Sequence, residues 1–454
     1  MTLTFPSPAH LLAIQQAALR AADPARAVSS ALRWDIPGKR LRVGDTVWDL
    51  LPGGRLALLA VGKAAVTMAQ AVAEVLGESL TAGLVITKTG HTHGVKLPAC
   101  LEVREASHPI PGADGYAAAQ AAAHLLDGLT EVDHVLVLIS GGASALLPFP
   151  AEGIGLNDLQ VTTNLLLRAG AVIGEINAVR KHLDGLKGGQ MVRRAAPAAL
   201  AALILSDVVG DPLDVIASGP TVADPTTYAD ALAAVDRYGL RDRIPAPVRL
   251  RLEHGVGGGL PETPKPGDPL FAGTSRQVIA SNRAAALAAA EEARRLGYAT
   301  LLLTSSLEGE AREVGKMLAA LAKEEVCYGA PLPLPACLVL GGETTVTVRG
   351  NGMGGRNQEL ALSAALALEG VCGAAVLSLA TDGTDGPTDC AGAVVNGETI
   401  RMARALDLDP VAALANNDSY PLLKATGALI FTGPTGTNVN DVMVVLVRKT
   451  CGDI

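Results

Sequence analysis

Aromatic residues are scarce in this sequence and make up only 3% of its 454 residues. Proteins that bind single-stranded nucleic acid stack bases on aromatic side chains, so this scarcity argues against such a surface. Positive charge is also limited, because the formal net charge is -8. A protein that coats DNA or RNA needs the opposite balance, although this balance leaves room for a local basic pocket. We therefore expect no nucleic-acid partner.

Paired cysteines, a leader and long apolar runs are absent as well. None of the six cysteines forms a C-x-x-C pair, which argues against a zinc site or a redox dithiol and favours core thiols in a reducing compartment. The start, "MTLTFPSPAH", lacks the basic stretch and apolar run of a signal peptide. No apolar stretch approaches the roughly 18 residues of a membrane span. We expect a cytoplasmic protein with no membrane partner.

Short apolar runs that alternate with helical patterns are the main feature present. "RLALLAVG", "AGLVITKTG" and "HVLVLISGG" are too short for helices, and Ala-rich helical stretches separate them. This alternation is typical of parallel sheets with crossover helices. The length favours two or three domains, and the Gly- and Pro-rich stretch "EHGVGGGLPETPKPGD" predicts a linker. The sequence therefore predicts an α/β fold class with two α/β domains and largely parallel sheets.

Polar side chains follow several of these apolar runs. They are Lys63, the loop Ser140–Ser144, Asp207, Glu343 and Asp382. In open α/β sheets, ligands bind beyond the carboxyl ends of the strands. Basic groups there could hold phosphates, carboxylates could hold Mg²⁺, and one carboxylate could accept a hydroxyl proton. The set therefore suits phosphoryl transfer.

Each of these signals also has a simpler interpretation. The loop "SGGAS" is compatible with an ordinary strand-to-helix turn, and it does not match the P-loop pattern. "ATDGTDGPTD" is either an Asp-Gly turn or a carboxylate cluster around Mg²⁺ or a basic group. His91 and His93 suit a solvated loop, and His108 suits either a rigid turn before proline or an anion contact. The basic run "NAVRKHLDGLKGG" suits a helix C-cap, yet it carries more positive charge than a cap needs.

Taken in order, the motifs "VGKAA", "SHPIPG", "LISGGASALL", "NAVRKHLDGLKGG", "GGRNQE", "ATDGTDGPTD" and "TGPTGTNVND" resemble the signature series of the glycerate 2-kinases, which carry a C-terminal MOFRL domain. Some members of that family are labelled hydroxypyruvate reductase. The resemblance spans Val61 to Asp441. It implies an active-site cleft between two α/β domains and ATP-dependent phosphorylation of D-glycerate to 2-phosphoglycerate with a divalent cation. It also implies active-site roles for Lys63 and Arg356. The chain departs from the family pattern at Ala143, often glycine, and at Asp184, often serine.

Glycines crowd the stretch "RGNGMGGRNQEL". Glycine inside a regular element costs about 0.5–1 kcal/mol of stability relative to alanine. The number of glycines in this one segment therefore needs an explanation. Our hypothesis is that glycines 350 to 355 let the backbone approach a phosphate or the glycerate carboxylate. Arg356 would supply a fork of donors, and Glu343 would bind metal or hold Arg356. A Gly-rich hairpin with a surface arginine is the simpler alternative.

These arguments give one set of predictions. We expect an N-terminal Rossmann-like domain over residues 1–255 and a C-terminal MOFRL-type domain over residues 256–454. The predicted site comprises the catalytic residues Lys63, Arg356, Asp207 and Asp382; the substrate- or phosphate-binding residues Ser140, Gly141, Gly142, Ser144, His108, Lys187 and Asn357; and the metal ligands Glu343, Asp385 and Asp389. ATP, Mg²⁺ and D-glycerate are the expected partners of a monomer or homodimer. The alternatives are an NAD(P)H-dependent hydroxypyruvate reductase and a non-catalytic nucleotide sensor. The reductase is disfavoured because "LLAVG" is not followed by a G-x-G-x-x-G dinucleotide-binding fingerprint.

Overall fold

The structure is a computed structural model that describes residues 5–35, 37–92 and 94–448. Its α-helices are α1 (Pro8–Ala21), α2 (Pro24–Ala31), α3 (Ala65–Leu76), α4 (Ala113–Asp127), α5 (Ala143–Leu146), α6 (Leu156–Arg168), α7 (Ile173–His182), α8 (Gln190–Ala195), α9 (Tyr228–Arg237), α10 (Ala246–Val256), α11 (Asn282–Arg295), α12 (Ala311–Tyr328), α13 (Arg356–Ala367), α14 (Thr399–Ala405), α15 (Pro410–Ala415) and α16 (Ser419–Ala425). Its strands are β1 (Leu32–Asp35), β2 (Arg40–Val43), β3 (Thr46–Asp49), β4 (Leu56–Val61), β5 (Ala82–Lys88), β6 (Leu101–Ala106), β7 (His134–Ile139), β8 (Ala199–Leu205), β9 (Thr274–Ala280), β10 (Ala299–Glu310), β11 (Ala336–Thr345), β12 (Ala374–Ala380), β13 (Gly392–Asn396), β14 (Leu429–Ile430) and β15 (Asp441–Val447).

The chain divides into two compact units. The central unit comprises Pro24–Ser206 and Asp211–Ile279. The split unit comprises the residues up to Asp23, Asp207–Gly210 and the residues from Ala280 onward. The chain thus passes between the units after residues 23, 206, 210 and 279, and not after residue 255, where the sequence predicted a domain boundary.

The stretch predicted to be a linker is part of the central unit. Glu262 accepts a hydrogen bond from the backbone N–H of Tyr228 at 3.0 Å and lies 3.0 Å from Nε2 of His182. Thr263 Oγ1 donates to Asp224 at 2.9 Å. This corrects the linker prediction. Glycine and proline mark an irregular backbone, but composition does not distinguish an ordered loop from a free connection.

The central unit contains the parallel sheet that the sequence predicted. Its strand order is β6-β5-β4-β7-β8-β9, and the pairings of β4 with β5 and β7, of β5 with β6 and of β7 with β8 are parallel. Every residue of β4 and β7 is buried, as expected for strands covered on both faces. A separate antiparallel sheet is formed by β1, β2 and β3.

The split unit contains a mixed sheet in the order β10-β11-β15-β12-β13-β14. Its β10 and β11 are parallel, but β15 runs antiparallel between β11 and β12. The two-unit α/β class is thus confirmed, while this sheet corrects the expectation of parallel pairing. In the register of β15, Asp441 lies opposite both Gly342 and Ala380. The start of β15 therefore meets the edge where β11 and β12 end.

Alanine, leucine and valine build the core, in keeping with the shortage of aromatic residues. Helix α13 is buried along Asn357–Ala365 and packs against α12, β12 and β13. Small side chains let these elements approach closely, so that interior packing density is reached without large rings. No helix among the described residues is long and apolar enough to cross a bilayer.

Candidate active site

Two carboxylates hold Arg356 at one edge of the split unit's sheet. Its Nε and Nη2 donate hydrogen bonds to Oδ2 and Oδ1 of Asp441 at 2.6 and 2.9 Å. Its Nη1 donates to Oε1 of Glu343 at 2.6 Å. The bidentate pair uses the planar fork of arginine, and the contact to Glu343 adds a third charge-assisted hydrogen bond. The guanidinium at the start of α13 is therefore fixed in position, with Glu343 in one of the two roles that the sequence suggested for it.

Asp441 is the residue at this site that the sequence interpretation missed. Its side chain is fully buried, and this burial raises its pKa to about 7, while the hydrogen bonds and the charge of Arg356 act in the opposite direction. Sequence reasoning looked for polar residues after strands, whereas Asp441 begins one. The motif "TGPTGTNVND" ends on this residue and was the signal that could have identified it.

A cavity of about 1060 Å³ lies in front of Arg356 in the split unit. Its charged lining residues are Glu308, Glu343, Glu359, Asp382, Asp385 and Arg356. Thr344 also lines it, and the buried Oγ1 of Thr344 has no hydrogen-bond partner. Small-molecule sites commonly measure about 300–1,000 Å³, so the cavity is large enough for a nucleotide-sized ligand.

Asp385 and Asn357 form hydrogen bonds with other residues at the start of α13 and with each other. Asp385 Oδ1 accepts from the backbone N and Nδ2 of Asn357 at 3.1 and 3.3 Å, and Oδ2 accepts from the backbone N and Nε2 of Gln358 at 2.9 Å each. The buried carboxylate thereby satisfies free N–H groups in the first turn of α13. Ser378 Oγ donates to Oδ1 of Asn357 at 2.6 Å. These contacts give both side chains partners within the protein, and the metal role of Asp385 and the substrate role of Asn357 stay predictions.

The predicted metal cluster is not assembled. Asp389 is exposed and accepts a hydrogen bond from the Tyr420 hydroxyl at 2.6 Å. Asp382 is half-buried, lines the cavity and accepts from the backbone N–H of Thr384 at 3.0 Å. Across the part of the chain that the structure describes, no three His, Cys, Asp or Glu side chains are placed to hold a metal ion. This corrects the three-carboxylate cluster of Asp382, Asp385 and Asp389.

The glycines before Arg356 are explained by close packing within the split unit. A Cβ at Gly350 would lie 2.3 Å from the carbonyl oxygen of Asn416, and one at Gly355 would lie 2.3 Å from Cγ of Asp385. The backbone N–H groups of Arg349 and Gly350 donate to Oδ1 of Asn417 at 2.8 and 3.1 Å. The segment is thus held against residues 385 and 416–419, which corrects the hypothesis that a phosphate requires these glycines.

In the central unit, Lys63 and His108 converge on Gly142. A Cβ at Gly142 would lie 3.0 Å from Cδ2 of His108 and 3.4 Å from Cε of Lys63. Gly142 also has a φ of +87°, which favours glycine. Burial lowers the pKa of His108 to about 4, and the charge of Lys63 adds to this shift. His108 is therefore neutral at neutral pH, beside a cationic lysine.

The turn that carries Lys63 interlocks with the loop that follows β7. A Cβ at Gly62 would lie 2.2 Å from Oγ of Ser140. That oxygen accepts a hydrogen bond from the backbone N–H of Ala64 at 3.1 Å, and the backbone N–H of Lys63 donates to the carbonyl of Gly141 at 2.9 Å. Ser140 is buried, so its contribution within this structure is to join the two turns.

Lys187 is buried against Asp184. Its Nζ donates to Oδ2 of Asp184 at 2.5 Å and to the carbonyl of Leu147 at 3.0 Å. Both charged side chains are almost inaccessible. The acidic departure at Asp184 is therefore matched by its own cation, and the substrate- or phosphate-binding role of Lys187 stays a prediction.

Ser144 and Asp207 are two further residues that the sequence predicted to belong to the site. Ser144 is half-buried in α5, and its Oγ lies 3.0 Å from Oγ of Ser218. Asp207 follows β8, belongs to the split unit and is half-buried. The catalytic role of Asp207 stays a prediction.

Comparison with known proteins places the chain among kinases. Residues 10–253 match a domain of unknown function (DUF4147), and residues 336–441 match the MOFRL family. D-glycerate 2-kinase of Thermotoga maritima is 46% identical over 87% of this chain and 91% of that protein. Glycerate 2-kinase of Pyrococcus horikoshii is 42% identical over 96% of both chains.

A solved structure agrees with these matches. The crystal structure of the glycerate kinase from Thermotoga maritima superposes with a TM-score of 0.86 at 43% identity, and it covers 96% of this chain and 98% of that one. Identity of this extent over nearly the whole length establishes the relationship. The chain belongs to the glycerate kinase family whose members carry a MOFRL domain.

Proposed function

We propose that the chain is an ATP-dependent glycerate 2-kinase, which transfers the γ-phosphoryl group of ATP to the 2-hydroxyl of D-glycerate. The observation that carries this proposal is the guanidinium of Arg356, fixed by Asp441 and Glu343 at a large cavity that several carboxylates line. Fixed charges of this kind stabilise a transferring phosphoryl group without reorganising during the reaction. The kinases named above, at 46% and 42% identity, support the same activity. We place the reaction in the cytoplasm, where ATP is supplied.

The chemical step needs little more than positioning and charge. The 2-hydroxyl oxygen attacks the γ-phosphorus, the bond to the bridging oxygen breaks, and ADP leaves with the electron pair. Arg356 neutralises charge on the phosphoryl oxygens as the group moves. We assign the hydroxyl proton to Asp382, which lines the cavity and whose carboxylate accepts a hydrogen bond from the backbone N–H of Thr384 at 3.0 Å. A carboxylate with a free oxygen is suited to that task.

The residues present fit a magnesium ion that is bound together with nucleotide. Mg²⁺ usually takes one or two carboxylates plus substrate phosphates and keeps several waters. Asp382 and Glu343 line the same cavity, and Glu343 uses Oε1 for Arg356, which leaves Oε2 for another partner. When bound, the ion would supply positive charge that offsets the charge of the nucleotide phosphates. A cluster of three carboxylates is unnecessary for this arrangement.

Lys63 lies in the central unit. Its side chain reaches the glycine loop at Gly142, beside neutral His108. A lysine at the start of α3 opposes the helix macrodipole, so an anion placed against it would be stabilised. We assign Lys63 to a phosphate of ATP, with Gly141 and Gly142 providing a surface that carries no Cβ.

The test is an assay of ADP formation by purified protein with ATP, Mg²⁺ and D-glycerate. We expect turnover that depends on all three, and phosphorus NMR should identify the product as 2-phosphoglycerate. A 3-phosphoglycerate product would contradict the assigned hydroxyl. Oxidation of NADH with hydroxypyruvate, without ADP formation, would replace the proposal by the reductase alternative.

A further inference from the structure

The basic run "NAVRKHLDGLKGG" carries more positive charge than a helix C-cap needs, and one of its four basic side chains is unpaired. The other three have an acidic partner: Lys181 lies 3.2 Å from Asp224, His182 lies 3.0 Å from Glu262 and Lys187 lies 2.5 Å from Asp184. The fourth is Arg180. Among the residues that the structure describes, none accepts a hydrogen bond from its guanidinium or lies within ion-pair distance of it. The positive charge in excess therefore belongs to Arg180.

Arg180 is nevertheless largely surrounded by protein. It is half-buried in the last turn of α7, and burial lowers its pKa, while the charge of Asp184 acts in the opposite direction. Within the described chain, the sealed side-chain nitrogens that lack a hydrogen-bond partner do not include those of Arg180, so solvent reaches its guanidinium. The group is thus partly desolvated, unpaired and open to a solute.

Asp184 does not neutralise Arg180, because its carboxylate is engaged elsewhere. Its Oδ1 accepts from the backbone N–H of Leu186 at 2.9 Å. Its Oδ2 accepts from the backbone N–H of Phe149 at 3.0 Å and from Nζ of Lys187 at 2.5 Å. The single negative charge is therefore already matched by the ammonium of Lys187, and Arg180 keeps a positive charge without a counter-charge at ion-pair distance among the described residues.

A role at the helix end does not account for the burial of Arg180. Cations near a helix C-terminus are favoured by the macrodipole, but this effect needs no burial, and Arg168 at the end of α6 is exposed. Taking a charge out of water without a partner costs stability. An anion that replaces the lost water would offset this cost, so the desolvation of Arg180 points to a ligand of negative charge.

The position of Arg180 on α7 is also defined. Asn177 lies three residues before it and therefore on the same face of the helix. The Oδ1 of Asn177 accepts a hydrogen bond from Oγ of Ser218 at 2.9 Å. Arg180 thus lies on the side of α7 that packs against the turn at residues 216–218, and both elements belong to the central unit.

We propose that Arg180 is an anion-binding residue of the central unit, whose guanidinium pairs with a carboxylate or phosphate group of a solute. Both groups present two oxygens that the planar fork of arginine matches with parallel hydrogen bonds. The site does not depend on the proposed function and needs only residues of the central unit. In the proposed reaction D-glycerate carries a carboxylate and ATP carries phosphates, and the experiment distinguishes these two sources.

The experiment measures the binding of inorganic phosphate, D-glycerate and ATP by titration calorimetry in a chloride buffer. Arg180→Met removes the charge and keeps an apolar stem, and Arg180→Lys keeps the charge. Arg243→Met, at an exposed position of the same unit, is the matched control and should change nothing. We expect Arg180→Met to weaken either ATP or D-glycerate about tenfold to a hundredfold, the effect of hydrogen bonds to charged groups, and to leave the other within about twofold. Arg180→Lys should lose less than Arg180→Met.

The pattern of losses identifies the source of the anion. Weaker ATP and inorganic phosphate with unchanged D-glycerate would assign a phosphate group, and weaker D-glycerate alone would assign the carboxylate. Unchanged affinity for all three solutes, equal weakening of ATP and D-glycerate, or an Arg180→Lys variant that binds no better than Arg180→Met would overturn the inference.

Thermal unfolding without ligand gives an independent result. Because Arg180→Met removes a desolvated charge that has no partner, its Tm should be higher than that of the wild type. A lower Tm would show that Arg180 supports the fold, and it would overturn the inference. Wild-type protein that binds neither ATP nor D-glycerate would refute the proposed function, whereas inorganic phosphate bound by the wild type and lost in Arg180→Met would still support the anion site. A wild type that binds none of the three would refute both.

Discussion

Arg356 and Asp441 form a bidentate ion pair in which the carboxylate is completely buried. The pair Arg40 and Asp49 has the same shortest distance, 2.6 Å, but both of its side chains are more than 60% exposed. Exposed pairs of this kind contribute about 0–1 kcal/mol, whereas removing one partner of a buried pair costs about 3–5 kcal/mol. The two ion pairs have the same shortest distance, but burial makes the Arg356–Asp441 pair far more important for stability than the exposed Arg40–Asp49 pair.

Asp441→Asn should lower turnover strongly, because the asparagine cannot accept both hydrogen bonds of the Arg356 fork. We expect a loss on the order of 100-fold in kcat, as for removal of one transition-state donor. Steady-state kinetics and thermal unfolding measure the effect. Asp49→Asn, which breaks the exposed pair, is the control and should change neither. Near wild-type kcat in a folded Asp441→Asn protein would show that Asp441 does not position Arg356.

The Arg356→Lys variant should not retain wild-type activity. Lysine keeps the charge, but its single ammonium cannot engage Asp441 in two parallel hydrogen bonds and Glu343 in a third. Because the interaction is expected to strengthen as the phosphoryl group moves, kcat should fall more than ATP affinity. Nucleotide titration beside kinetics separates the two quantities. Full activity in the Arg356→Lys variant would show that catalysis does not depend on the planar guanidinium of Arg356.

Lys63→Ala should reduce kcat on the order of 100-fold or more while leaving the fold intact. The side chain lies over the glycine loop, and its removal takes away the cation assigned to phosphate. Circular dichroism checks the fold and initial rates check the activity. Lys323→Ala, at an exposed position of α12, is the control. A Lys63→Ala enzyme as fast as wild type would exclude this residue from the site.

His108 should make stability depend on pH below neutrality. Burial lowers its pKa from 6.5 to about 4 in the native state. Between these two pH values the unfolded chain binds more protons at this histidine than the native protein does. The stability contributed by His108 therefore rises with pH from about 4 to about 6.5, and it is fully present above pH 6.5. His108→Gln should flatten this part of the Tm profile, and His124→Gln, which replaces an exposed histidine of α4, should leave it unchanged. An unaltered slope in His108→Gln would contradict the assignment.

Gly355→Ala should destabilise the protein by about 1–3 kcal/mol, the range for overpacking. The new Cβ would meet Asp385, which satisfies the first turn of α13. Gly174→Ala is the matched control, because a Cβ there meets nothing within 4 Å and it lies inside α7. Alanine in a helix should stabilise it by up to about 1 kcal/mol. Denaturant unfolding of both variants tests the contrast, and equal stabilities would contradict the packing explanation.

The sequence was sufficient where local pattern determines structure. The apolar runs that became β4 and β7 are continuous because both faces of those strands are buried. Lys63 and Arg356 stood out because a strand end or a glycine run precedes each of them. The resemblance to a family added the activity, which neither periodicity nor composition encodes.

Long-range pairing accounts for most of what the sequence left undetermined. The apolar run of β15 carries no mark of its direction, so neither the mixed sheet nor the position of Asp441 followed from it. The carboxylate of Asp385 was indistinguishable from a metal ligand until the start of α13 was seen beside it. Lys187 was predicted to bind substrate or phosphate, and the sequence did not show that its ammonium pairs with Asp184.

The central place of β15 also sets an order of events during synthesis. Strands β11 and β12 are joined only through β15, which the ribosome makes about sixty residues after β12 ends at Ala380. Until residue 447 has emerged, β11 and β12 expose the edges that β15 will cover, and such unpaired strands invite association with other chains. The central unit, complete at residue 279, can fold while this happens. Chaperones that shield nascent chains should therefore act on residues 336–380, and a stalled ribosome short of Asp441 should release an aggregation-prone product.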